Sequence, residues 1–368
     1  MKKRQLLLGL MAFTGMLILI LDSKTAITGT QEGVMLCLQT VVPALFPFFL
    51  LSGLILQVLP AFDLKFLRYI ERLFGIPQGS GVLFVIGLLS GYPVGAQLVT
   101  QAYQTKQISE ESAKRMLGFC SNAGPAFLFG MLSPMFTLWY VPWVLWGIHI
   151  LGACVAGLFF RSNTDKQQVI LTDCPMNAAF ALQNAVKNMA FVCGWVIIFR
   201  VILAFCKRWF LWLLPNVLQV FFYGLLELSN GCTQLSAINA ESTRFLIAGL
   251  FLSFGGVCVM LQTSSVTGAL GLGKYQQGKL IQSVVTAAIC LLITPVLFLE
   301  DCNPIVNISL PILLIGLLIV CRLIRKKVVA FPGKMLYNTG NLCKKGAVSC
   351  CFERKSIAPA ATVKEALP

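Results

Sequence analysis

Residues 88–99 read LLSGYPVGAQLV, with two glycines and a proline inside a strongly apolar stretch. Proline lacks an amide N–H and glycine leaves the backbone free, so this stretch predicts an interrupted helix. In hydrocarbon, each backbone group without a hydrogen bond costs several kcal/mol, so an interruption there needs a compensating role. The stretch therefore raises the question of what a broken helix does inside a membrane.

The composition predicts an all-α, polytopic membrane protein. Hydrophobic residues make up 57% of the chain and charged residues 12%, and the mean hydropathy is +0.81. A span of about 20 apolar residues crosses the bilayer core. About eight such transmembrane helices are predicted, at residues 5–22, 36–59, 114–137, 140–160, 181–206, 243–263, 280–299 and 305–321. Two further stretches, at 82–104 and 211–235, have polar centres and are predicted to be re-entrant or interrupted hairpins.

The basic residues indicate the topology. With a cytoplasmic N-terminus and two re-entrant hairpins, 23 of the 29 Lys and Arg residues lie on the cytoplasmic side and four outside. Cytoplasmic loops are enriched in Lys and Arg, so both termini are predicted to be cytoplasmic. If both hairpins instead crossed the membrane fully, the chain would have ten spans. The apolar N-terminus resembles a signal peptide but lacks an A-x-A-like site, so an uncleaved first span is favoured over cleavage.

The chain also contains an internal repeat. Three stretches of the first half align in order with three of the second: 38–55 with 182–199, 87–99 with 224–236, and 111–129 with 241–259. In the predicted topology the copies have opposite orientations, and inverted repeats with interrupted helices point to the substrate site of a transporter. The chain is predicted to have six segments: a first span with its outer loop (1–33), the first repeat (34–160), a cytoplasmic linker (161–178), the second repeat (179–300), a last span (301–325) and a basic tail (326–368).

Four polar clusters lie at repeat-related positions and form the predicted solute site. Opened helices offer backbone N–H and C=O groups, and neighbouring polar side chains add orientable hydrogen bonds. The predicted substrate-binding residues are Ser90, Gly91, Tyr92, Pro93, Gln97, Ser121, Asn122, Ser229, Asn230, Gln234 and Gln262. The alternative is that the small residues are packing kinks, which are common in membrane helices.

Glu227 stands alone as an acid between leucines in the second interrupted stretch. An acid inside the membrane is costly and is a functional candidate by default. We interpret Glu227 as an ion-coupling residue. The alternative is a structural ion pair with Arg200 or Arg208.

Several function classes have no support in the sequence. No catalytic motif or phosphate-binding loop is present, so the protein is predicted not to be an enzyme and to need no cofactor. The 14 cysteines have no metal-binding spacing, and the single histidine, His149, has no acidic or Cys residue at ligand spacing. The net charge of +15 comes from loops and the tail, which indicates membrane lipid rather than nucleic acid as a partner.

The motifs LSGYPVGAQLV, ISEESAKRM and FCSNAGPAFLFG resemble the nucleoside-recognition (Gate) domain, and most of all the sporulation integral membrane proteins of endospore-forming Firmicutes. The second-half stretch LLELSNG fits the acid-then-glycine pattern of the same family. The resemblance covers about residues 34–300. It implies a membrane gate or permease, and it suggests nucleosides or dipicolinate as solutes and the mother-cell or forespore membrane as the location.

The sequence and the resemblance together predict a sporulation-associated permease for a small polar or anionic solute. The predicted mechanism is alternating access with binding at the interrupted helices. Two alternatives stay open: a structural or recruiting scaffold whose basic tail binds a partner, and a cation gate. A homo-oligomer is compatible with all three.

Overall fold

The computed structural model describes residues 2–58, 65–162 and 177–298. Within these ranges every regular element is a helix, which confirms the all-α prediction. The helices are α1 (Lys2–Leu21), α2 (Ser23–Leu36), α3 (Val42–Val58), α4 (Lys65–Phe74), α5 (Gly81–Ser90), α6 (Val94–Gln104), α7 (Glu110–Met116), α8 (Pro125–Phe127), α9 (Val141–Phe159), α10 (Ala178–Trp209), α11 (Asn216–Leu226), α12 (Leu228–Gln234), α13 (Glu241–Phe254), α14 (Gly256–Thr267) and α15 (Tyr275–Leu297). The predicted span at 305–321 and the basic tail lie outside the described residues.

Long apolar helices confirm a polytopic membrane protein. Within the described ranges, five helical stretches are long and apolar enough to cross a membrane: Ser23–Ile55, Val141–Phe159, Ala178–Trp209, Glu241–Leu270 and Tyr275–Leu297. Shorter apolar helices, among them α5 and α11, lie between them. Large apolar side chains such as Leu10, Leu182 and Ile198 are exposed on the outer surface, which suits contact with lipid.

Two predicted segments differ from the structure near the N-terminus and in the first half. Residues 23–33, expected in an outer loop, are helical, because Asp22 caps α2 by accepting the N–H of Thr25 at 3.3 Å. The predicted continuous span at 114–137 is interrupted. Its helix ends at Met116 and resumes at Pro125, which has no N–H to continue a helix.

The first pair of breaks occurs where the repeat alignment predicts it. α5 ends at Ser90, and Gly91 has φ +81°, a conformation that favours glycine. α11 ends at Leu226, and Glu227 is extended before α12 begins. Since Ser90 and Glu227 are aligned in the two copies, both halves interrupt the same helix at the same point.

A second break of the second half lies within the predicted continuous span at 243–263. The chain turns at Gly255, which has a left-handed φ of +79°. The polar cluster that contains the predicted site residue Gln262, at residues 262–265, lies inside α14. Its Ser265 hydroxyl donates to the carbonyl of Leu261 at 2.9 Å, so the polar group is satisfied within an unbroken helix.

Helix contacts recur between the two halves. α5 contacts α6 and α8, and α11 contacts α12 and α14. Likewise α3 contacts α8, and α10 contacts α14. Across the halves, α3 lies along α10 and α9 along α15, so both halves share one core. These recurring contacts agree with an internal repeat, whereas its inverted orientation and the segment boundaries stay a prediction.

Candidate functional site

A cavity lies where the breaks of the two halves meet. It encloses an empty volume of about 430 Å³, part of it open to the surroundings. Its polar lining residues are Ser90, Tyr92, Glu227, Ser229 and Gln262. Apolar side chains of α3, α8 and α10 complete the walls. The cavity is therefore mostly apolar with a few polar groups, as expected for a site that orients a small solute.

The break between α5 and α6 forms one wall. Ser90 is 2% exposed, and its hydroxyl has no hydrogen-bond partner among the described residues. Tyr92 donates its hydroxyl to the carbonyl of Leu252 at 3.2 Å. The aromatic ring of Tyr92 also lies against Gly255, where an added Cβ would be 3.3 Å from it. One side chain of the first half thus contacts the second break of the other half.

Glu227, at the break between α11 and α12, lines another wall of the cavity. Its carboxylate accepts the N–H of Ser229 at 3.0 Å and the N–H of Asn230 at 2.6 Å, so it caps α12. The same carboxylate accepts the side-chain amide of Asn230 at 2.7 Å. The side chain is 2% exposed and is held in a fixed orientation at the cavity wall.

Polar contacts connect Glu227 to the outside of the helix bundle. Asn230 accepts a hydrogen bond from the Arg200 guanidinium at 2.9 Å, and Arg200 forms an ion pair with Glu32 at 2.8 Å. Arg208 pairs with Asp22 instead. The alternative of an ion pair between Glu227 and either arginine is therefore wrong, because Asn230 lies between Glu227 and Arg200.

We expect Arg200→Met to lower the free energy of unfolding by about 1 to 2 kcal/mol, because the buried Asn230 oxygen loses a charged donor. Glu32→Gln removes only the partly exposed ion pair and should cost about 0.5 kcal/mol or less. Chemical denaturation in detergent micelles measures both values. Equal losses in the two variants would contradict the assignment of Asn230 as the more important partner of Arg200.

A second polar network surrounds Lys279 on α15. The side chain is 1% exposed, and its ammonium donates to Gln282 at 2.8 Å, to Tyr92 at 3.0 Å and to Asn122 at 3.3 Å. The predicted span at 280–299 begins one residue after Lys279, whereas in the structure Lys279 lies within α15. Its position at the start of an apolar helix, one turn before Gln282, was the available signal.

His149 belongs to the same network. Its ring accepts the N–H of Ala123 at 3.2 Å, and its carbonyl accepts the side-chain amide of Gln282 at 3.1 Å. Gln282 also donates to Asn122 at 3.1 Å. Among the described residues no group of three His, Cys, Asp or Glu side chains could hold a metal ion. His149 therefore connects α9 to Ala123 and to Gln282 of α15.

The predicted site residues are distributed over three environments. The cavity is lined by Ser90, Gly91, Tyr92, Glu227, Ser229 and Gln262. Four residues are buried but do not line the cavity: Pro93, Ser121, Asn122 and Asn230. Gln97 is exposed on α6 and Gln234 is half-buried, and neither lines the cavity. Their assignment to the site stays a prediction with no contact to support it.

The long apolar helices and the buried cavity between interrupted helices define an integral membrane protein with several membrane-spanning helices. The chain is 24% identical over 320 residues to the sporulation integral membrane protein YlbJ of Bacillus subtilis (strain 168), covering 73% of this chain and 78% of that protein. This similarity confirms the predicted resemblance to sporulation integral membrane proteins. No family model and no solved structure matches the chain, so the Gate domain stays a prediction.

Proposed function

We propose that the protein is a permease or gate for a small polar or anionic solute, and not an enzyme. The observation that carries the proposal is the cavity between the two interrupted helices, lined by Ser90 from one half and Glu227 from the other. Solute sites of secondary transporters lie where discontinuous helices of two repeats meet near the middle of the membrane. Alternating access then moves one half relative to the other around this site.

Glu227 is the proposed ion-coupling residue. It is a buried acid at a helix break, and its direct hydrogen bonds come from neutral donors. An intramembrane carboxylate of this kind can take up a proton or a sodium ion as the cavity changes its access. Loading and release of the cation would couple solute movement to an ion gradient.

The proposed biological setting is spore formation. Its support is the similarity to a protein whose name states a sporulation role. The proposed location is the cell membrane, of the mother cell or the forespore, with both termini in the cytoplasm as the distribution of basic residues favours. Membrane lipid is then a natural partner of the basic loops.

The test is uptake of labelled uridine and dipicolinate by proteoliposomes that contain the full chain. We expect uptake above empty liposomes for one of the solutes, and Glu227→Gln should reduce it to the empty-liposome level. Glu110→Gln is the matched control, because Glu110 forms only an exposed ion pair with Lys114. Unchanged uptake in the double variant Glu227→Ala with Asn122→Ala would contradict this site.

A further inference from the structure

The short helix α4 presents a basic edge and an apolar edge to the outside of the molecule. Its exposed side carries Arg68 and Arg72, next to Phe66, Tyr69 and Leu73. We propose that this side is a binding site for anionic phospholipid, with the two arginines on the lipid phosphate and the apolar side chains in the membrane. The inference rests on the proposed membrane-lipid partner, to which it gives a site and a charge, and it does not depend on solute transport.

The buried side of α4 fixes the orientation of the helix on the protein. Phe74 is 1% exposed, and its ring centroid lies 5.1 Å from that of Phe84 on α5. Glu71 is 7% exposed, and its carboxylate accepts the N–H of Gly79, in the loop before α5, at 2.8 Å. These contacts determine which side of α4 faces outward.

The exposed side of α4 is divided lengthwise by residue type. Successive residues of an α-helix are about 100° apart, so Arg68 and Arg72, four positions apart, share one edge. Phe66, Tyr69 and Leu73 share the other edge, and they are 50%, 70% and 45% exposed. Large apolar side chains exposed together indicate contact with an apolar surface, and arginines beside them indicate an acidic one. A lipid leaflet with anionic headgroups offers both.

The helix α4 lies at one end of a membrane-spanning helix, where lipid headgroups are expected. α9 has 19 residues and is about 28 Å long, close to the thickness of the hydrocarbon core. Trp139 and Trp143, at the start of α9, are exposed, as in the aromatic belts of membrane surfaces. At the other end of α9, Arg115 donates to the carbonyls of Phe160 at 3.2 Å and of Gly75, directly after α4, at 3.4 Å. α4 is therefore at the membrane boundary opposite the tryptophans.

Arg68 and Arg72 are suited to a lipid phosphate, because a planar guanidinium donates two parallel hydrogen bonds to one phosphate group. Its five N–H donors allow it to bind a protein acceptor and a phosphate at the same time. Zwitterionic phosphatidylcholine has a phosphate but no net charge, so it should bind more weakly than an anionic lipid. A soluble phosphate would lack the contact with the apolar edge, which favours lipid as the ligand.

Photo-crosslinking of the full chain in nanodiscs tests the inference. The probes are anionic phosphatidylglycerol and zwitterionic phosphatidylcholine, each carrying the same photoreactive group in its acyl chain. Mass spectrometry counts the lipid adducts on residues 65–74. We expect about five- to thirtyfold more adducts from phosphatidylglycerol, the range for one to two basic residues near an anionic lipid surface. The double variant Arg68→Gln with Arg72→Gln should remove this preference.

Two further variants separate this site from a general attraction to charged lipid. Lys106→Gln with Lys274→Gln removes the same charge from two other exposed positions and should leave the labelling of α4 unchanged. Tyr69→Ser with Leu73→Ser removes part of the apolar edge and should reduce the adducts of both lipids on α4 in equal proportion. All of these side chains are exposed, so the variants should keep the fold, which size-exclusion chromatography checks.

Three results would overturn the inference: equal labelling of α4 by the two lipids, unchanged phosphatidylglycerol labelling in the double arginine variant, or no lipid adduct on residues 65–74. Absence of adducts from a dimeric protein would indicate a second copy of the chain on this face. Preferential labelling without uptake in proteoliposomes would count against the permease alone. Uptake with an unlabelled α4 would count against the lipid site alone.

Discussion

Gly95→Ala is expected to destabilise the protein by about 3 kcal/mol or more, or to prevent folding. Gly95 on α6 and Gly87 on α5 face each other across the carbonyl group of Cys120. A Cβ on Gly95 would overlap the Cys120 oxygen and lie 2.9 Å from its carbonyl carbon. These are backbone atoms of three crossing segments, so no side chain can rotate away to relieve the contact.

Gly194→Ala is the matched control for this prediction. Gly194 lies in the middle of α10, and an added Cβ there meets no atom within 4 Å. Alanine should stabilise this helix by up to about 1 kcal/mol, because it restricts the unfolded backbone more than glycine does. Thermal unfolding in detergent, monitored by size-exclusion chromatography after heating, gives the unfolding midpoint of each variant. Similar midpoints for the two would contradict the close crossing of α5, α6 and residue 120.

Asn122→Leu is expected to cost about 3 to 5 kcal/mol, although leucine is similar in size. Asn122 is fully buried and donates to the carbonyl of Phe119 at 2.7 Å. Its side-chain oxygen accepts from Lys279 at 3.3 Å and from Gln282 at 3.1 Å. Leucine would leave the Phe119 carbonyl and one N–H of Lys279 without a partner, and both groups are in the buried interior.

The control for Asn122→Leu is Asn216→Leu at the start of α11. Asn216 is exposed, and the same substitution there should change the free energy of unfolding by about 0.5 kcal/mol or less. Chemical denaturation in detergent gives the two values. A loss below about 1 kcal/mol for Asn122→Leu would show that the Lys279 network contributes little to the stability of the fold.

The helix breaks at Ser90 and Glu227 could be predicted from the sequence because their signals are local. Glycine and proline lie beside Ser90, and an acid interrupts a leucine run at Glu227. Both features act on the backbone within a few residues, so they need no knowledge of the tertiary structure. The alignment of the two halves then predicted that both breaks occupy equivalent positions in the two copies.

The environment of Lys279 could not be predicted in the same way. Two of its partners, Tyr92 and Asn122, precede it by more than 150 residues in the chain. A lysine at the edge of an apolar stretch resembles the many interfacial lysines of membrane proteins. Gln97 shows the same limit, because its cluster is polar in the sequence, whereas α6 places this side chain at the surface and its role in the site stays a prediction.

The contact of Tyr92 with Leu252 and Gly255 has a mechanical consequence. The side chain of Tyr92 connects the break after Ser90 in one half to the turn at Gly255 in the other half. A displacement of either break would therefore strain the hydrogen bond of Tyr92 to Leu252 or its ring contact with Gly255. The two breaks are thus mechanically linked through a single side chain.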